Sequence, residues 1–214
     1  RLLRSPHAEF LVELRRALPK TAARSEDQSP RRHAGTAERV TQEAACADLR
    51  AALKTTEDSK DRRGEILWSH QRVREYLRSY HDQVRIHRAR TQWMRKERRE
   101  KAKAPEFEAP KTPVGLPREF ELYLRGAIAW HTGEVEEARG QWQAVLALPV
   151  EQRKYRSVWA AYMLGRSYMG EDPNRAFKWF GFTRGLAAGG FHDSTGLAAA
   201  SLGWRGRVAL DRGD

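Results

Sequence analysis

Phosphate contact and base stacking are the first chemistry this sequence offers. Between Arg62 and Lys103 it places 14 basic residues against 5 acidic ones, with Trp68, Tyr76, Tyr80 and Trp93 interleaved. Such a segment can track a nucleic-acid backbone and stack bases. It can also lie on an anionic membrane surface, or be the solvated face of a helix whose apolar side supports the fold. No zinc-finger spacing, ribonucleoprotein aromatic signature or basic region joined to a strong zipper accompanies it. His70, His81 and His87 raise the question of metal. His81 and His87 are six apart and do not share a helix face, and no HExxH motif surrounds them, so no metal ligand set is assigned. Glu134, Glu136 and Glu137 cluster where a helix should start, a place carboxylates favour for its dipole. His192, Asp193 and Ser194 are consecutive, whereas the members of a catalytic triad converge in space from distant positions. Asp193 or Ser194 reads instead as the N-cap of the next helix. Cys46 is the only cysteine and reads as a small buried apolar residue. A disulfide framework and a cysteine-rich zinc site are therefore excluded. No GxSxG elbow, GxxxxGK[ST] loop or GxGxxG turn occurs. The sequence predicts no catalytic residue, no cofactor, no metal and no small-molecule substrate, and is read as non-enzymatic.

The net charge of the 214 residues is +12, and its distribution matters more than its size. Residues 1–61 carry +2, residues 62–103 carry +9 and residues 104–214 carry +1. The excess belongs to one segment. Seven Trp and 40% hydrophobic residues exclude a wholly disordered chain. No stretch approaches the roughly 18–20 apolar residues of a membrane span, so no transmembrane segment is predicted. The chain begins at Arg1 and reads as a piece of a longer polypeptide, which leaves the compartment open between cytoplasm and bacterial cell envelope.

The elements that would carry these residues are all helical. Residues 1–61 form a helical, partly disordered region. Ser5-Pro6 starts a helix with Phe10, Leu11, Leu14 and Leu18 on one side, and residues 20–35 read as a mobile polar break. A second helix over roughly 37–54 presents Val40, Ala44, Ala45, Leu49, Ala52 and Leu53. Residues 62–103 read as one long basic amphipathic helix. Its seam runs through Ile66, His70, Val73, Leu77, Tyr80, Val84, His87, Thr91 and Met94 in alternating steps of four and three. That seam should pack on a neighbouring helix. Residues 104–118 are a Pro-rich linker that no helix crosses.

From 119 to 214 the chain repeats itself. Arg125-Gly126-Ala127-Ile128-Ala129 followed by Gly133 matches Arg205-Gly206-Arg207-Val208-Ala209 followed by Gly213, and Leu164-Gly165 with Tyr168 lies between them. The first glycines are 39 and 41 residues apart. A period near 40 signals stacked helix pairs. These residues resemble the tetratricopeptide repeat (TPR) family. In that family a small residue on the first helix admits the second helix, a turn glycine follows, and an Ala sits four before a bulky aromatic. Gly126, Gly133, Ala138 and Trp142 match in the first repeat. Gly165, Tyr168, Ala176 and Phe180 match in the second, whose turn is one residue short. Gly206 and Gly213 open a third repeat that is truncated. The period exceeds the family's 34 residues, and Leu122 and Ala161 stand where its first-helix Trp is usual. The stretches beginning at Leu116 and Tyr155 are also similar to large bacterial TPR proteins of unassigned function.

The resemblance implies an α-solenoid and a protein-binding scaffold or adaptor with a concave groove lined by the first helices of the repeats. Carried over position by position, it places Tyr123, Tyr162 and Trp204 in one column, with Arg166 and Arg207 beside them and Trp130 in the same groove. A protein or peptide partner is expected there. The alternative is a nucleic-acid-associated protein acting through residues 62–103.

Overall fold

A computed structural model describes residues 30–57, 59–92 and 102–212, with the isolated positions 94 and 98. The helix expected over residues 5–18, Trp93 and Gly213 lie outside the described residues. Two units divide the chain at Arg39/Val40; of the first, only the opening turns of α1 are described.

Every regular element among the described residues is helical. They are α1 (Pro30–Thr56), α2 (Lys60–Thr91), α3 (Arg118–Thr132), α4 (Val135–Ala147), α5 (Ser157–Tyr168), α6 (Pro173–Ala188) and α7 (Leu197–Arg212), with a short 3-10 turn at Val150–Gln152. Helix α1 starts at Pro30, so residues 30–35 are helical where a polar break was expected. Proline fixes the φ of a first helical residue and has no N–H to leave unsatisfied there.

Local chemistry accounts for most boundaries. The Ser59 hydroxyl accepts the Arg62 N–H and caps α2. Gly133, at φ 84, closes α3 in the left-handed conformation that a side chain would oppose. The Asp172 carboxylate accepts the Arg175 N–H and caps α6, with Pro173 at its first position. Asp193 Oδ1 and Oδ2 accept the N–H groups of Leu197 and Ala198 at 2.7 and 3.0 Å and start α7.

The seam of α2 is the buried side of that helix. Ile66, His70, Leu77 and Thr91 are buried, and Val73, Tyr80, Val84 and His87 are half-buried. Ile66 and Leu77 join Leu49, Ala52 and Leu53 of α1 and Phe120 and Leu124 of α3 in one apolar cluster. Burying aliphatic side chains stabilises at about 25 cal/mol per Å² of apolar surface. The Pro-rich segment is extended and pinned. Phe107 packs 4.5 Å from the Tyr80 ring and 6.2 Å from His131, Glu108 N–H donates to the Tyr76 hydroxyl, and Leu116 is buried in the α1–α2–α3 cluster.

Helices α3 to α7 pack each against the next, and α5 also meets α7. A Cβ built on Gly126 would lie 2.7 and 2.9 Å from the Trp142 Cδ1 and Cε2 atoms. One on Gly165 would lie 2.7 Å from the Phe180 ring. Only glycine allows α4 to approach α3, and α6 to approach α5, this closely. Ala138, Trp142, Ala176 and Phe180 are fully buried in these contacts.

Candidate functional site

The residues assigned to a groove separate into two neighbourhoods. Tyr162, Arg166 and Trp204 converge where α5 meets α7. Trp204 Nε1 donates to the Tyr162 hydroxyl at 2.8 Å, and the Arg166 guanidinium lies 4.4 Å over the Trp204 ring. Trp204 stacks on Phe180 at an interplanar angle of 14°, and Tyr162 meets the same ring edge-on. These two rings are therefore anchored by the buried core of α6 and half-exposed at their outer sides. Arg166 is exposed, and its guanidinium lies stacked on the Trp204 ring. A guanidinium stacked on an indole keeps its in-plane N–H donors for a carboxylate. Arg207 is exposed on the next turn of α7.

Tyr123 and Trp130 face other partners. Tyr123 lies edge-on to Trp159 at 5.9 Å, and the Arg156 guanidinium sits 5.7 Å over its ring. Burial pushes its phenol up. Trp130 is 6.0 Å from Trp142 and packs with the α3–α4 core. Of the repeat residues, Gly126, Gly165, Ala138, Trp142, Ala176 and Phe180 form the α3–α4 and α5–α6 contacts, Tyr168 is buried beside Ala176 and Phe180, and Gly133 makes the α3–α4 turn.

A second constellation joins residues that sequence reasoning left apart. Arg156 is fully buried and bonds through Nη1 to Asp48 Oδ2 at 3.2 Å and through Nη2 to the Ala45 carbonyl. Its guanidinium also lies 4.2 Å over Phe120 and 5.1 Å over Trp159. Burial pulls Arg156 down to about 10, and Arg74 adds to that, while Asp48 opposes it. Asp48 accepts the Ser194 hydroxyl at 2.9 Å, and His192 Nδ1 lies 2.9 Å from its other oxygen. Glu119 Oε2 accepts the N–H groups of Tyr155 and Arg156 at 2.9 and 2.7 Å and so caps the start of α5. Burial pushes the Glu119 carboxyl up to about 7 against the pull of those N–H groups and of Arg156. Across the cluster, burial, then Arg74 and Arg156, hold His70 down to about 3.

This node has a Ser, a His and an Asp but not the geometry of an activated nucleophile. Ser194 donates to the Asp48 carboxylate and not to His192, so the serine–imidazole contact of a triad is not made. What the arrangement does is tie α1 to the loops before α5 and α7. Nothing local in the sequence signals it: the Arg156 and Asp48 that form the pair are 108 residues apart.

The basic helix presents less stacking surface than its composition promised. Trp68 is 60% exposed, with Arg72 stacked 4.8 Å over it. Tyr76 and Tyr80 are engaged by Phe107. No group of His, Cys, Asp and Glu able to hold a metal occurs among the described residues. No helix of the described residues is long and apolar enough to cross a membrane. No family model, no curated protein and no solved structure matches this chain.

Proposed function

We propose that this chain is a non-enzymatic protein-interaction module, a TPR-like stack of helix pairs that takes a carboxylate-bearing peptide on the face formed by Tyr162, Arg166 and Trp204. The observation that supports it is the Arg166–Trp204 stack. An indole held by the core and a guanidinium with free donors are the two side chains most often found as interface anchors. Adjacent helix pairs bearing exposed Arg166 and Arg207 would extend the face along the stack. Nucleic acid is the alternative partner, supported by the exposed Trp68–Arg72 stack on α2.

One experiment compares the two. A displayed random-peptide library is panned on the 214-residue chain, and a single-stranded oligonucleotide is titrated against it at low and high salt. Acidic peptides that bind the chain and lose about tenfold or more on Arg166→Ala or Trp204→Ala support the reading. Peptides indifferent to both changes sink it. Steeply salt-dependent oligonucleotide binding that disappears on Trp68→Ala with Arg72→Ala establishes the alternative instead.

A further inference from the structure

The Trp159 indole gathers positive charge from two helices. Arg156, just before α5, places its guanidinium 5.1 Å over the ring, and Arg74, from the middle of α2, places a second one 5.8 Å over it. Tyr123 of α3 meets the same ring edge-on at 5.9 Å. Trp159 is 7% exposed and Arg156 2%, while Arg74 and Tyr123 are half-buried. The two like charges feel one another. After burial, Arg74 is the strongest influence holding Arg156 down, and it acts in the same direction on His70.

The carboxylates of this cluster are committed elsewhere. Asp48 pairs with Arg156 at 3.2 Å, accepts the Ser194 hydroxyl and faces His192. Glu119 Oε2 takes the N–H groups of Tyr155 and Arg156, and burial keeps its carboxyl protonated up to about 7. His70 is held neutral. On the acid side of neutrality two guanidiniums therefore meet one full carboxylate, and the excess is one positive charge.

A hydrogen-bond donor is left over at the same place. Trp159 Nε1 is buried and has no partner among the described residues. An indole N–H can only donate, so whatever satisfies it must accept. His70 Nδ1, one turn before Arg74 on α2, is a second buried atom without a partner, and it is a donor in the tautomer that carries the proton there.

We propose that Arg74 and Trp159, walled by Tyr123, form a site for a halide ion, chloride in its ordinary surroundings, held by the indole N–H and the Arg74 guanidinium. A single excess charge shielded from water matches a monovalent anion. A phosphate, at about −1.5 to −2 near neutral pH, would bring in charge that the cluster cannot neutralise. Bound there, the ion would satisfy the orphaned indole, relieve the repulsion between Arg74 and Arg156, and clamp α2 onto α5.

The probes are sodium chloride and sodium bromide, each compared with sodium gluconate at equal ionic strength, acting on the intact 214-residue chain. Gluconate supplies the same screening through a much larger anion. The melting midpoint should rise saturably in chloride and in bromide by about 2–4 °C over gluconate. The chloride nuclear resonance should broaden when the chain is added and narrow again on adding bromide. Trp159→Phe removes the N–H and keeps a ring, and Arg74→Gln removes the charge from a half-buried position. Each should weaken halide binding about tenfold or more and abolish the halide-specific rise, whatever it does to the midpoint in gluconate. Arg72→Gln, an exposed guanidinium on the same helix, should leave both signals intact. Equal midpoints in chloride and gluconate overturn the proposal. A rise that survives Arg74→Gln or Trp159→Phe also overturns it, because the ion then sits elsewhere on the basic surface. A rise in sodium formate with none in chloride overturns the halide assignment.

Discussion

In α3–α7 the decisive contact is a glycine against an aromatic ring, made at Gly126 and again 39 residues later at Gly165. Around Arg156 it is a buried cation against a carboxylate 108 residues away, made once. The first kind is local, apolar and repeated, so each copy stands or fails with its own helix pair. The second draws α1, the start of α5 and the loop before α7 onto a single aspartate. Removing Arg156 leaves the buried Asp48 carboxylate with only Ser194 and His192 to answer its charge. The two regions should therefore fail differently when perturbed.

The largest effect is expected at the node. Arg156→Ala strands the Asp48 carboxylate, which has a side-chain exposure of 1%. Breaking a buried pair in this way typically costs about 3–5 kcal/mol. The double change Arg156→Met with Asp48→Asn removes both charges and keeps most of the volume, so it should recover much of that loss. Urea unfolding of the single and double variants checks this. Equal losses in both would mean that packing against Phe120 and Trp159, and not charge, is what Arg156 supplies.

The node should also give stability a pH dependence that the glycine contacts lack. Glu119 holds its proton up to about 7 in the folded chain, against an ordinary value of 4.5. Its contribution is full below 4.5 and is lost as pH rises through 7. His70 is held down to about 3 from 6.5, so its contribution is full above 6.5 and is lost as pH falls through 3. Between 4.5 and 6.5 the two slopes oppose each other. The melting temperature should be nearly flat there, fall steeply on the acid side, and fall slightly between 6.5 and 7. The acid limb is worth roughly 2–4 kcal/mol. His70→Leu should remove it and Glu119→Gln should remove the alkaline limb. A melting curve against pH that His70→Leu leaves unchanged assigns acid sensitivity to other groups.

How far each region was legible follows from the same contrast. The α2 seam could be read because period is a one-dimensional property: Ile66, His70 and Leu77 are spaced as a buried stripe and are buried. Gly126 and Gly165 could be read because each repeats a neighbour's pattern. Asp193 could be read as a cap because its partners, Leu197 and Ala198, are four and five residues away. Asp48, Glu119, Arg156 and His192 could not, because nothing local marks a charge for burial when its partner lies far along the chain, 37 residues between Glu119 and Arg156 and 108 between Asp48 and Arg156. Tyr123 holds the same place relative to its glycine as Tyr162 and Trp204, and its ring also meets Arg156 and Trp159, contacts that register alone does not reveal. Phe107 shows another limit: prolines marked the segment as non-helical but carried no information about the Tyr80 ring on which it docks.

The smallest effects sharpen the comparison most, because one substitution at three equivalent glycines should change sign. Alanine at Gly126 or Gly165 forces a methyl group into the Trp142 or Phe180 ring. Neither ring can retreat, since both are fully buried, and overpacking of this kind costs about 1–3 kcal/mol. Alanine at Gly206 meets no atom within 4 Å. There only the helix propensity counts, and replacing an exposed helical glycine by alanine stabilises by about 0.5–1 kcal/mol. Thermal melts of the three single variants should thus show two decreases and one increase. A decrease at Gly206 would mean that its open side is covered when the chain is in solution, and an increase at all three would dissolve the distinction between filled and empty notches on which the helix ladder rests.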